Sequence, residues 1–290
     1  MAVLKLDHVS LAYSKGTPFE KVAVEDFTHT FRENAITGLI GHTGSGKSTV
    51  AQMFNGLLKP DCGTVSLDGT DIWQEPKNLP SIRFRIGIVF QYPEYQLFDE
   101  TVFRDIAFGP RNMGLSDEEI EKRVLDAAEF ACVDREWLDI SPFELSGGQK
   151  RRVAIAGVMA MDPEILVLDE PAAGLDPAAR RTILDGIRRY QVERMKTVIM
   201  ISHSMEDMAK YADEIVVMYR GTVALTGTPA EIFRDAERVR ELGLSVPQIT
   251  LLCQKLRERG VPVSDEIFTV DQAHRALAEL FREKGGTPLC

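Results

Sequence analysis

The run Ile36-Thr37-Gly38-Leu39-Ile40-Gly41-His42-Thr43-Gly44-Ser45-Gly46-Lys47-Ser48-Thr49 constrains this chain more than any other. It fits G-x-x-x-x-G-K-[ST], with an apolar, β-branched segment in front and the helix formers Val50, Ala51, Gln52 and Met53 behind. That order reads as strand, loop, helix, the context in which the pattern cradles phosphate. Glycines at 41, 44 and 46 let successive backbone N–H groups turn toward one anion with no Cβ in the way. Lys47 is then the residue that reaches the β- and γ-phosphates, and the Ser48 hydroxyl the one that holds Mg2+. His42, Thr43, Ser45 and Thr49 complete the cradle. The helix that starts here adds the positive end of its macrodipole to the same point.

At 290 residues there is length for a large core and a smaller attached domain. A net charge of −10 argues against a protein that neutralises nucleic-acid phosphates, so no nucleic-acid partner is expected. No apolar run reaches the roughly 18 residues of a membrane span. Residues 1–9 alternate like a strand and lack the charged and apolar regions of a secretory signal. The expectation is a cytosolic chain that meets a membrane only through partners. Cys62, Cys132, Cys253 and Cys290 are scattered, with no C-x-x-C pair, and read as idle thiols in a reducing compartment.

Strands are expected over residues 4–9 and 22–31. Tyr13 lies between them. A tyrosine after a strand ordinarily packs, but an exposed ring just upstream of a phosphate loop can also stack on a base. Residues 64–72 suit a hairpin on the Asp68-Gly69 turn. Residues 86–90 suit a buried strand that ends on Gln91, at the edge where such sheets bind ligands.

From 92 to 161 the pattern is helical. Ser116 and Glu119 have the spacing of a capping box, and Ile120, Val124, Ala127, Ala128 and Ala131 fall on one face. This block reads as a helical insertion in an α/β core. Within it, Leu145-Ser146-Gly147-Gly148-Gln149 precedes a helical run over 150–161. Ser146 and Gln149 form a second box, and the two glycines leave backbone N–H groups uncovered, as an anion site needs. Taken alone, the same pattern is an ordinary capped helix.

Residues 165–168 form an apolar strand ending in Asp169-Glu170. A strand buried on both faces delivers its terminal acids to the edge where the phosphate loop opens. There Asp169 can hold the Mg2+ shell and Glu170 can polarise water. Asp176 is placed to cap a helix with Pro177 at its first position. The strand over 196–201 ends at Ser202-His203. A lone histidine is ordinarily structural, but at a third strand end of one sheet it can meet a terminal phosphate. Strands over 214–219 and 222–225 flank the Arg220-Gly221 turn. From 228 onward the chain is helical, punctuated by Gly243, Pro247, Gly260, Pro262 and Gly285. Thr269 caps a last amphipathic helix through Ala276, Leu277, Leu280 and Phe281.

Gly41 to Ser48, Gln91, Leu145 to Gln149, Ile165 to Glu170, Asp176 and His203 stand in the order found in ATP-binding cassette ATPases, and the chain resembles that family over roughly residues 1–230. The resemblance implies an α/β fold: a P-loop NTPase (RecA-like) core, an antiparallel β subdomain and a helical subdomain at roughly 92–161. Together these make a cassette over 1–229. Residues 230–290 are then a small, mainly helical accessory or dimerisation domain.

The resemblance further implies two cassettes stacked head to tail, each ATP lying between one P-loop and Ser146, Gly147, Gly148 and Gln149 of the other chain. Tyr13 would stack on adenine and Gln91 would sense Mg2+. Glu170 would act as general base, Asp176 would reach across the dimer, and His203 would contact the γ-phosphate.

Gly41-His42-Thr43-Gly44-Ser45-Gly46-Lys47-Ser48-Thr49 and three further runs are similar to the ATPase subunits of energy-coupling factor transporters, which import vitamins and, in related systems, cobalt or nickel. The three are Gln91-Tyr92-Pro93-Glu94-Tyr95-Gln96-Leu97-Phe98, Phe108-Gly109-Pro110 and Gln149-Lys150-Arg151-Arg152-Val153-Ala154-Ile155-Ala156-Gly157. Ala172 departs from the threonine that follows Asp-Glu-Pro in the family. Implied partners are a second ATPase chain, a transmembrane coupling subunit and a substrate-binding membrane subunit, which hold the chain at the cytoplasmic face. Residues 92–110, with Glu94, Asp99, Glu100 and Asp105 among exposed-type aromatics, suggest an acidic surface for basic cytoplasmic helices.

Another cassette importer, for amino acids or metals, shares the core motifs. A soluble cassette protein of repair or translation needs long coiled coils or two cassettes in one chain. A P-loop kinase or GTPase leaves Leu145 to Gln149 unexplained.

Overall fold

The computed structural model describes residues 3–283, so Gly285 and Cys290 lie outside the described residues. The chain runs β1 (Leu4–Tyr13), β2 (Lys21–Thr30), β3 (Ile36–Gly41), α1 (Lys47–Phe54), β4 (Cys62–Leu67), β5 (Thr70–Asp71), α2 (Leu79–Arg85) and β6 (Ile86–Val89). It continues through α3 (Val102–Asn112), α4 (Asp117–Phe130), α5 (Gly147–Met159), β7 (Ile165–Asp169), α6 (Pro177–Arg194), β8 (Thr197–Ile201) and α7 (Met205–Tyr211). Then follow β9 (Glu214–Tyr219), β10 (Thr222–Gly227), α8 (Pro229–Arg234), α9 (Ala236–Glu241), α10 (Gln248–Glu258) and α11 (Val270–Glu283).

The large sheet has the order β10-β9-β3-β8-β7-β6, parallel from β9 to β6 with β10 antiparallel at one edge. β3, β7 and β8 are buried at every position and mostly apolar because they are covered on both faces. Leu166 and Leu168 face the layer formed by α3 to α7. Ile165 and Val167 face the other layer, with α1 and the small sheet. All the parallel strands therefore deliver their C-terminal ends to one edge, which carries residues 41, 169 and 201.

The small sheet, β2-β1-β4-β5, is antiparallel. Its first strand runs on to Tyr13 rather than ending at residue 9. The cause is a register shift between Leu6 and Val9, with His8 at φ 51. This bulge moves the buried set from Leu4 and Leu6 to Val9 and Leu11, which breaks the period-two pattern in the sequence.

Between β6 and β7 the chain forms the expected helical block. Only half of the expected box at Ser116 is present: its hydroxyl accepts from the Glu119 N–H, but the Glu119 carboxylate is taken by Arg123. The box at Ser146 is complete, and α5 starts at once from Gly147. After β10, Ile232, Phe233, Val239 and Val246 pack into the main core. Cys253, Val263, Ile267 and Ala273 gather in a small cluster of their own. Thr269 and Gln272 exchange hydrogen bonds at the start of α11, as a helix start there requires.

Candidate active site

The loop between β3 and α1 is fixed by contacts that exclude larger residues. Gly46 has φ +103, and a Cβ there would lie 2.3 Å from the Ala23 carbonyl oxygen on β2. Lys47 Nζ donates to the carbonyls of Gly41 (2.8 Å) and His42 (3.0 Å), which keeps the ammonium over the loop. Burial pushes this amine below the ordinary lysine value, against the pull of Glu170 and Asp169. The Ser48 hydroxyl donates to Asp169 Oδ2 at 2.9 Å and so joins the start of α1 to the end of β7. Tyr13 Oη lies 3.2 Å from Thr49 Oγ1 with its ring partly exposed, and the His42 ring stands edge-on to Tyr219.

A cavity of about 490 Å³ opens here. Of the residues singled out in the sequence, Tyr13, Thr43, Gly44, Gly46, Lys47, Ser48, Thr49, Gln91, Asp169, Glu170 and His203 line it. Gly41, His42 and Ser45 belong to the same loop without forming its wall. Lys21 and Ala23 of β2 and Ile201 of β8 line it as well. Lys21 adds a cation at the opening, and nothing in its sequence neighbourhood signals this, because a lysine at a strand start is usually solvated.

Glu170 follows β7 with φ 53, and its N–H donates to the Ile201 carbonyl at 3.0 Å. This turn swings the side chain into the cavity. Its Oε1 has no hydrogen-bond partner among the described residues and lies 3.6 Å from His203 Nε2, beyond hydrogen-bond range. Burial, with the Asp169 carboxylate adjacent, pushes Glu170 up to about 7. Burial likewise raises Asp169 despite Ser48 and Lys47. His203 is held below its usual value by burial and by Lys47. A carboxylate near neutrality beside a cation and a phosphate loop is equipped to accept a proton from water.

Ser146, Gly147, Gly148, Gln149 and Asp176 are not brought into this cavity. Ser146 and Gly147 sit exposed at the tip of α5, where Ser146 Oγ accepts from the Gln149 N–H and Gln149 Oε1 accepts from the Ser146 N–H. Asp176 is exposed, and its Oδ1 accepts from the N–H groups of Ala178 and Ala179 at the start of α6.

The acidic surface suggested for residues 92–110 is only half there: Glu100 is exposed and Asp99 partly so, but the other two acids turn inward. Glu94 turns inward to the buried Arg151, and Asp105 is 9% exposed and accepts from the N–H groups of Phe98 and Asp99. Both acids satisfy buried donors, a demand set by distant partners that the local sequence does not display. Exposed beside Glu100, as the sequence suggested, are the rings of Tyr92, Tyr95, Phe98 and Phe108.

The geometry agrees with what known proteins show. The ABC transporter family profile matches residues 24–173. The energy-coupling factor transporter ATP-binding protein EcfA2 of Caldanaerobacter subterraneus subsp. tengcongensis is 52% identical over 279 residues, covering 96% of this chain and 98% of that one. The solved structure of cbiO1 from Clostridium perfringens, described as part of the ABC transporter complex cbiONQ, superposes with a TM-score of 0.74 at 39% identity. That match covers 87% of this chain and 98% of the other. A dimeric post-hydrolysis structure of the ATP-binding cassette MJ0796 with ADP and Pi gives a TM-score of 0.70 at 28% identity, over 78% and 98% of the two chains. The chain therefore belongs to the ABC transporter family and, within it, to the energy-coupling factor transporter ATP-binding proteins.

Proposed function

We propose that the chain is the ATP-hydrolysing subunit of an energy-coupling factor importer, one of two cassettes that close head to tail on ATP and drive membrane subunits importing a vitamin or a transition-metal ion. The observation that carries this reading is a separation. Lys47, Ser48, Asp169 and Glu170 share one cavity, while the Ser146–Gln149 helix tip, whose free N–H groups suit an anion, lies outside it and faces outward. A second copy or a similar chain would complete the site with that tip.

In this reading Tyr13 stacks on adenine and Lys47 neutralises the β- and γ-phosphates. Ser48, Asp169 and Gln91 offer an all-oxygen donor set that suits Mg2+. The ion, when bound, offsets charge developing on the β,γ-bridge. Glu170 takes the proton of the attacking water and His203 steadies the γ-phosphate. Asp176 lies on the surface toward the second cassette. Residues 230–290 serve as an accessory domain that stabilises the pair. No described helix is long and apolar enough to cross a membrane, and attachment to the cytoplasmic face runs through the membrane subunits.

The test is Glu170→Gln with Mg-ATP. Hydrolysis falls by about 10²- to 10⁴-fold while binding persists, and the chain migrates as an ATP-dependent dimer. A variant that binds ATP and stays monomeric, alone and with its co-purifying ATPase partner, overturns the sandwich.

A further inference from the structure

A second cavity, of about 220 Å³, lies away from the nucleotide site at the seam between the helical block and the core. α4 and the end of α5 form one wall, and Tyr190 and Arg194 of α6 form the other. Tyr190 is 2% exposed, and its hydroxyl is buried with no hydrogen-bond partner among the described residues. Its ring packs edge-on against Phe130 of α4, with centroids 5.3 Å apart. A buried phenol that donates to nothing costs free energy, so the cavity needs an acceptor.

The polar groups around it say which kind. Arg123 donates Nε to Glu119 and Nη1 to the Met161 carbonyl, leaving Nη2 unused. Arg194 donates Nη2 to Asp126, leaving Nε and Nη1. Lys122 makes no hydrogen bond or ion pair among the described residues. The carboxylates, by contrast, are all engaged: Glu119 by Arg123, Asp126 by Arg194 and Asp162 by Lys196. With Lys196 counted, four cations face three carboxylates, and the unused groups are donors. The Tyr190 phenol stays protonated, pushed well above the usual range by burial and by Asp162.

We propose that this seam cavity binds a small oxyanion, phosphate- or carboxylate-sized, that accepts from Tyr190 Oη and the unused N–H groups of Arg123 and Arg194, with Lys122 at its mouth. The anion fastens α4 to α6. It adds to the Phe130–Tyr190 stack, the close approach of Gly186 to the Phe130 carbonyl, the Arg189 hydrogen bond to the Glu129 carbonyl and the shared apolar core that already join them. α6 follows the Glu170 loop, and α4 belongs to the block that carries Ser146.

The test is thermal unfolding and calorimetric titration of the full chain saturated with ADP, so that the P-loop is filled. Inorganic phosphate, sulfate and acetate are added separately at constant ionic strength. An oxyanion that binds raises Tm by about 2 °C. Tyr190→Phe, which keeps the ring against Phe130, weakens binding about tenfold, and Lys122→Ala weakens it by a smaller factor. Preference for phosphate over acetate assigns the site to phosphate-like ligands, and the reverse assigns it to carboxylates. An equal response in wild type and both variants places the anion elsewhere and overturns the proposal. No response to any of the three shows a cavity that holds only water and overturns it too.

Discussion

Glu94 and Arg151 meet as a fork: Arg151 Nε and Nη2 donate to the two carboxylate oxygens at 3.0 and 2.7 Å, on side chains 15% and 4% exposed. Burial alone would raise Glu94, but the guanidinium overrides it and holds the carboxyl below its usual value. Arg151 also donates to the Ala173 carbonyl in the loop after Glu170. One guanidinium therefore joins the segment that follows Gln91, the helix that starts at Ser146 and the acidic loop. Glu94→Ala leaves a buried cation half-unpaired. It should cost about 3 kcal/mol and lower the denaturation midpoint, while Asp99→Ala nearby should leave it almost unchanged. Equal midpoints for wild type and Glu94→Ala would remove the pair from the stability of this fold.

Lys47→Ala removes the ammonium held over the P-loop carbonyls. A charge-assisted contact to phosphate contributes roughly 1.5–3 kcal/mol, so affinity for a fluorescent ATP analogue should drop tenfold or more. Adenosine, which has no phosphate to meet Lys47, should bind wild type and variant alike. Unchanged ATP affinity would deny Lys47 its assigned contact.

His29 supplies a pH dependence outside the nucleotide site. Its side chain is 9% exposed, with Nε2 3.4 Å from Glu214 Oε2, where β2 meets β9. Burial lowers its pKa from 6.5, and the opposing pull of Glu214 is the weaker influence. Since the folded value is the lower one, the unfolded chain takes up the proton first on acidification. The contribution is full above 6.5 and is lost as pH falls through the folded value. His29→Gln should therefore show a smaller fall in Tm than wild type between about pH 7.5 and pH 5. Parallel curves would assign the acid sensitivity to other groups.

Much of the site was legible because its signals are local. A phosphate loop, a capped helix start and an apolar strand ending in two acids each occupy fewer than about a dozen neighbouring residues, and the parallel topology brings strand ends together without further instruction. Glu94 was not legible, because its partner Arg151 lies 57 residues away and an acid among aromatics reads as solvated. The length of β1 was hidden by the bulge at His8, which reverses the alternation. Lys21 and the orphaned Tyr190 hydroxyl depend on which elements pack side by side, and no local pattern encodes that.

With Glu94 and Asp105 turned inward, the surface beside Gln91 is aromatic. Tyr95 is 84% exposed and Phe98 59%, and Phe98 stands edge-on to Phe108 with centroids 5.0 Å apart. Exposed rings clustered next to a functional loop mark a contact site, because water gains by their removal and no described residue covers them. A membrane subunit's cytoplasmic helix that seats an apolar side chain between Phe98 and Phe108 would be held mainly by burial, and charge would set only its orientation. Phe98→Ala should then weaken retention of the chain on membranes carrying that subunit by about tenfold, whereas Asp99→Lys should reduce it less and mainly at low salt. ATP affinity should stay at the wild-type value in both, since neither residue lines the nucleotide cavity. If Asp99→Lys releases the chain and Phe98→Ala does not, the contact is electrostatic and the aromatic cluster serves the fold alone.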